Sequence, residues 1–241
     1  MGLQLLVIAV LALVIVPLWM IYRPPVFLIN RLQAHSPSVL FHIQTTRKIV
    51  ALTIDDAPSE YTSPILEILK ANDARATFFA IGGQIPGRQA LLEDILNQGS
   101  ELGNHAMHDE PSINLPSSTL GAEIQVVDAM ISAAYTSTNI ERHNKFFRPG
   151  SGIFSQRLLD ITSGLGYRTI LGSIYPHDPF IPYWRVNAWH ILSRLRSGAV
   201  IICHDRRSWT VPMLRKVVPE MKRRGYEVVT VTELLEEGGK G

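Results

Sequence analysis

Short apolar runs alternate with helical patterns along most of this chain, and the runs repeatedly end in residues able to do chemistry. Residues 48–54 (KIVALTI) read as a buried strand that ends in Asp55-Asp56. Residues 64–72 read as a helix with Pro64 in its first turn, where the missing N–H is tolerated. Residues 76–81 (ATFFAI) form a second strand, and 89–97 a helix that stops at Gly99. A short strand over 101–104 leads into His105. The longest helical pattern follows at 117–135, with Leu120, Ile124, Val127 and Ile131 on one face. Beyond it the spacing predicts strands at 145–148, 167–171, 199–203 and 227–231, with helices at 155–165, 186–196 and 212–224 between them. Strands alternating with helices of this length predict an α/β fold, a parallel sheet closed or nearly closed by crossover helices. Asp55-Asp56, His105, Arg148 and His204-Asp205 all lie at the C-terminal ends of strands, and in a barrel that rim is where sites are built.

Composition narrows the class. The chain has 241 residues, 46% hydrophobic and 18% charged, so it is globular rather than disordered. A net charge of +2, without any Lys/Arg run, argues against a nucleic-acid partner. One cysteine, Cys203, cannot make an internal disulfide, so the fold rests on its core. No Asn-x-Ser/Thr sequon is present.

The first 22 residues are of a different kind. From Leu3 to Tyr22 about 20 residues run with only Gln4 strongly polar, a length suited to a bilayer-spanning helix. Trp19 and Tyr22 stand near its end, as interfacial aromatics do, and Arg23 follows. A cleaved signal peptide fits less well, because the run is long and no Lys or Arg precedes it. The expectation is therefore a transmembrane anchor or signal-anchor over 1–22, a Pro-rich linker over 23–47 and a catalytic domain over 48–241. Single-pass membrane attachment follows. Charges after the span (Arg23, Arg31, Arg47, Lys48) favour a cytoplasmic domain, whereas the function below favours an extracellular or lumenal one.

The strand-end residues suggest a cation. Asp55 and Asp56 are adjacent carboxylates whose repulsion a metal or an arginine would relieve; Arg148 is a candidate partner for Asp55. His105 has His108 three residues on and Asp109 four residues on, and either spacing puts two ligands on one side of a helical turn. Imidazole and carboxylate donors both suit zinc. His204 follows apolar residues, so its pKa is open to tuning for acid work.

Taken together these residues resemble the polysaccharide deacetylases, the family with the NodB homology domain that includes chitin, chitooligosaccharide and peptidoglycan deacetylases. Thr53-Ile54-Asp55-Asp56-Ala57-Pro58 is similar to the family's first motif, Thr-Phe-Asp-Asp-Gly-Pro. His105 through Asp109 resembles the second, Arg148-Pro149 the third, and Ile202-Cys203-His204-Asp205 the last. The matches keep the family order over about residues 48–235. The resemblance implies a distorted (β/α) barrel of about seven parallel strands. It also implies metal-dependent hydrolysis of N-acetyl groups on an amino-sugar polymer or oligomer, chitin-like or peptidoglycan-like. One divalent ion, usually zinc, would be held by Asp56, His105 and Asp109, the last preferred to His108 by register. Asp55 would be the general base, His204 the general acid, Arg148 the group orienting Asp55, and Ser151 a backbone donor to the oxyanion.

Three departures accompany the resemblance. The second motif usually carries His where Asp109 stands. Gly150-Ser151-Gly152 lacks the tyrosine that usually follows Arg-Pro. The fourth motif usually has an Asp near a Trp, and only Tyr175-Pro176-His177-Asp178-Pro179 corresponds, with Asp178 as the candidate partner of His204. These departures keep two other functions open: a catalytically impaired, membrane-tethered glycan-binding protein, or a deacetylase of a small-molecule amide.

Overall fold

The structure, a computed structural model, describes residues 2–239. It divides into two compact units, residues 1–37 and 38–241. In the first, α1 (Gly2–Tyr22) is followed by α2 (Val26–His35). The prolines at 24 and 25 separate the two helices, and Pro25 takes the cap position of α2, where its lack of an N–H does no harm. Among the described residues no single helix is long and apolar enough to cross a membrane. The pair Leu13–Tyr22 and Val26–His35, bent by 68°, has the length and composition to do so.

The second unit is one all-parallel sheet wrapped by helices. Its strands are β1 (Val39–Leu40), β2 (Ile49–Ala57), β3 (Thr77–Ala80), β4 (Glu101–Asn104), β5 (Phe146–Phe147), β6 (Arg168–Ile170), β7 (Val200–His204) and β8 (Glu227–Val229). Their order is β1-β6-β5-β4-β3-β2-β7, with β8 added beside the start of β2. The run β2 to β6 is sequential, each strand pairing with the next. Helices α3 (Thr62–Ala71), α4 (Gln89–Asn97), α5 (Ser117–Thr138) and α6 (Gln156–Gly164) make those crossovers. The curl is drawn together on the far side by single bridges, His42 to Ala199 and Ile174 to Ile201. The result is a curled, incompletely closed barrel rather than a complete one. Residues 38–47, read from sequence as linker, contribute β1 to this sheet.

The core explains which side chains reach the mouth. All nine residues of β2 are buried, and the strand period of two divides them. Val50, Leu52 and Ile54 pack with Ile65 and Leu69 of α3 and with Leu214 and Val217 of α8 (Thr210–Arg223). Ala51 faces the other way, among Phe79, Phe146, Ile170 and Val200 in the barrel interior. Thr53 and Asp55 continue that inner row, so a carboxylate is forced into the barrel. Each fully buried Ile or Leu contributes about 1.5–3 kcal/mol, and this fixes the register that sends Asp55 inward. Helix α7 (Trp184–Arg194) precedes β7 and packs against α8, and α9 (Val231–Gly238) ends the described chain beside β2; α9 is entered through a capping box of Thr230 and Glu233.

Candidate active site

The mouth of the barrel is built where β2, β4, β5 and β7 end, and the backbone is strained there. Asp56, Ala106, Ser151, His177 and Arg206 all have φ between +59° and +65°, a region that non-glycine residues rarely adopt. Each lies directly after or close to a strand end and turns the chain across the rim. At Gly150 a Cβ would lie 2.0 Å from the Glu110 carbonyl oxygen, so only glycine lets the β5 loop close on the β4 loop. The Gly150 amide donates to Ser112 Oγ at 2.9 Å and fastens the two loops together.

Asp55 and His204 are register partners across β2 and β7. Asp55 is 3% exposed and receives Nη1 of Arg148 on Oδ1 at 2.6 Å. Arg148, itself 2% exposed, spends its other donors on Thr53 Oγ1 (2.7 Å) and the carbonyls of Ile170 (3.1 Å) and Leu171 (3.3 Å), over the face of Phe79. Burial pushes the Asp55 carboxyl up, but Arg148, His105 and His204 overcome it and hold the group below the ordinary value. Its free oxygen, Oδ2, looks at His204 Nε2 from 3.8 Å.

His204 is gripped from behind. Asp178 accepts from its Nδ1 at 3.0 Å and from its backbone N–H at 2.8 Å. Burial alone would depress the imidazole, yet Asp178, then Asp55 and Asp56, raise it to about 9. At neutral pH the ring is therefore charged, with Nε2–H aimed at the cleft. Trp209 Nε1 donates to the Asp178 carbonyl at 3.0 Å. The Trp sought near that Asp in sequence is thus supplied from the start of α8. Asp205 turns inward to Ser59 (2.6 Å) and Thr62 and anchors the loop after β7.

Asp56 and His105 form the second half. His105 Nδ1 is 2.7 Å from the Arg148 carbonyl, which can only accept. The proton is on Nδ1 in the neutral ring, and Nε2 offers a lone pair. That nitrogen is 3.7 Å from Asp56 Oδ1, a buried oxygen with no hydrogen-bond partner. An orphaned carboxylate oxygen beside an oriented imidazole lone pair is what a divalent cation would satisfy, and the donor types suit zinc. Burial, then Asp109 and Asp55, raise the Asp56 carboxyl against the pull of His105 and His204.

The remaining expected residues are less tightly gathered. Asp109 is exposed and is felt by Asp56 only electrostatically. His108 is also exposed and lies against Gly83, with Nδ1 3.6 Å from where a Cβ there would sit. Among the described residues no three His, Cys, Asp or Glu side chains converge closely enough to hold an ion. Ser151 is exposed at φ +65°, between amides already given to Ser112 and Pro149. Two residues not singled out in the sequence also line the mouth. The Tyr175 ring is 5.9 Å from that of His204, and Arg207 Nη2 is 3.3 Å from Asp56 Oδ2. Neither lies at a strand end, so strand-end logic does not find them.

Residues 42–170 match the family model described as polysaccharide deacetylase. A peptidoglycan-N-acetylglucosamine deacetylase of Bacillus cereus is 32% identical over 203 residues, 82% of this chain and 92% of that protein. A crystal structure of a CE4 family pseudoenzyme from Bacillus anthracis superposes with a TM-score of 0.75 at 30% identity, covering 84% of this chain and 70% of the other. A mutant of the same protein described as having restored enzymatic activity superposes equally well, at 32% identity.

Proposed function

The chain belongs to the polysaccharide deacetylase family, and from that premise we propose that it hydrolyses N-acetyl groups on a chitin-like or peptidoglycan-like amino-sugar polymer with the help of one divalent cation, zinc by donor type. The observation that carries this reading is the pairing of two half-sites on one rim. One is a base–acid couple, Asp55 with His204. The other is the Asp56–His105 couple with its unsatisfied oxygen.

Amide hydrolysis needs a deprotonated water, a polarised carbonyl and a proton for the departing nitrogen. A cation held by Asp56 and His105, with Asp109 closing the set, would supply the polarisation and acidify water beside it. Asp55 Oδ2 takes a proton from the attacking water, its other oxygen being fixed by Arg148 so that the basic one faces the cleft. The water oxygen bonds to the acetyl carbon. His204 Nε2–H then protonates the nitrogen as the C–N bond breaks, leaving acetate and a free amine. The Ser151 amide is the proposed donor to the developing oxyanion.

The test is acetate release from N-acetylglucosamine oligomers and from peptidoglycan, with zinc and with chelator. Asp55→Asn should abolish release while zinc uptake persists; an unchanged rate removes Asp55 as base. A second reading, glycan binding without turnover, draws support from the exposed Asp109 and from the pseudoenzyme neighbour. It expects binding and no acetate in the same assay. The retained Asp178–His204–Asp55 array speaks for turnover, since binding alone needs no charged acid beside a base. Acetate release from a small N-acetyl amine but from no glycan would point instead to a small-molecule amidase.

The apolar run at 3–22 and the bent helix pair support membrane attachment. On that reading the catalytic unit stands outside the cell or in a lumen, with its substrate. Release of the protein from membranes by alkaline carbonate alone would refute the anchor.

A further inference from the structure

Arg207 has a position that the proposed chemistry does not use. It follows Arg206 on the loop after β7, and the loop is well held. The Arg206 amide donates to Asp205 Oδ1 at 2.7 Å and to Ser59 Oγ at 3.3 Å, and Arg206 takes φ +59° to make the turn. That turn aims the Arg207 side chain, 21% exposed, at the buried Asp56, with Nη2 3.3 Å from Oδ2. The opposite oxygen of the same carboxylate, Oδ1, is the orphaned one that faces His105.

Charge makes the contact informative. Asp55 has Arg148 to itself. Asp56 feels two imidazoles, His105 and the charged His204, while Asp109 and Asp55 add negative charge around it, and the one arginine that touches it among the described residues is Arg207. A dication shared by Asp56 and His105 would meet the guanidinium on the far oxygen of its own ligand. Two cations on one carboxylate repel, and the repulsion is felt strongly where water is excluded.

We propose that Arg207 is a built-in competitor of the metal for Asp56, pairing with the carboxylate before loading and yielding it as the cation enters. This rests on the reading of Asp56 and His105 as ligands. It makes Arg207 a positioning residue that trades metal affinity for a stable unloaded site.

The test uses the full chain stripped with chelator. Zinc affinity is measured by competition with a chromophoric chelator, and melting temperature is recorded with and without zinc. The proteins are the natural chain, Arg207→Gln, Arg207→Ala, Arg207→Lys and Asp56→Asn. Removing the charge should tighten zinc binding roughly tenfold. It should also lower the melting temperature of the unloaded protein and enlarge the rise that zinc produces. Arg207→Gln keeps the side-chain bulk, so it reports on charge even if Arg207→Ala folds badly, and Arg207→Lys should return most of the natural behaviour. Unchanged or weaker zinc affinity in both neutral variants overturns the proposal. Equal zinc binding by the natural chain and Asp56→Asn overturns the ligand reading itself, a separate result.

Discussion

Replacing Asp178 by Asn tests how the barrel makes an acid out of a histidine. Asp178 is fully buried and its two oxygens accept from His204, one from the ring and one from the backbone. The natural imidazole titrates at about 9, against 6.5 for a free one. Each unit is worth about 1.4 kcal/mol, so the site favours the imidazolium by roughly 3 kcal/mol. With the side chain only 12% exposed, little of that is lost to solvent. An asparagine keeps the shape but has one acceptor. If that oxygen serves the backbone N–H, the NH2 faces Nδ1 and requires a lone pair there. The ring then loses its main charged partner, and its pKa falls from about 9, with Asp55 and Asp56 alone left to oppose burial.

Two measurements follow. The alkaline limb of kcat/KM for acetate release should move down from near pH 9, and at neutral pH the rate should fall by up to about 10²–10⁴-fold, the usual worth of a general acid. The second measurement needs no turnover. A group whose folded pKa is raised stabilises fully below its unfolded pKa, and the contribution is lost as pH rises through the folded value. The natural protein should therefore lose about 3 kcal/mol of unfolding free energy between pH 6.5 and 9.5, and Asp178→Asn should lose distinctly less over the same range. A stability difference that stays constant over that range, with an unmoved alkaline limb, would refute the claim that Asp178 charges His204.

Three further substitutions read other parts of the frame. Arg148→Met strands the buried Asp55 carboxylate and should cost about 3–5 kcal/mol at pH 7. Because the folded Asp55 pKa is depressed, the Arg148 contribution is present above about pH 4 and fades as pH falls through the folded value, so urea denaturation should show the gap narrowing in acid. Gly150→Ala drives a methyl into the Glu110 carbonyl and should cost about 1–3 kcal/mol, with a raised KM in the acetate assay as the two rim loops part. Thr230→Ala removes one arm of the α9 capping box and should lower stability by about 1 kcal/mol with activity unchanged, in thermal melts and the same assay.

The parts of this fold legible in sequence are those whose cause is local. β2, β3 and β7 are largely apolar runs of strand length, and α4 begins and ends where its pattern does. β1 is a two-residue strand that pairs with β6, Val39 beside Thr169, and no local signal announces so distant a partner. α2 is hidden by Pro24-Pro25, which break a helix in the middle but suit its start. α9 went unread, the strand reading running on to Val231, although Thr230 and Glu233 stand at capping-box spacing. The site divides the same way. Asp55, Asp56, His105, Arg148 and His204 sit at strand ends and follow from the topology. Trp209 reaches Asp178 across 31 positions and Arg207 reaches Asp56 across 151, contacts that only the folded chain defines.

That division has a physical consequence for the mouth of the barrel. Its inner wall is held by β-ladders and by one buried arginine with four separate acceptors, which leaves Asp55 a single orientation. Its outer wall is held by turns at positive φ, each costing of order 1–3 kcal/mol, and the turn at Arg206 is secured by a side-chain clasp, Asp205 to Ser59. Strain of that kind persists only where surrounding contacts over-determine it. The base and acid therefore belong to the rigid inner frame, while Arg207 and Asp109 belong to the strained outer one. Exchange of a cation for a guanidinium on Asp56 can then proceed by movement of the outer loops alone, with the Asp55–His204 geometry left in place.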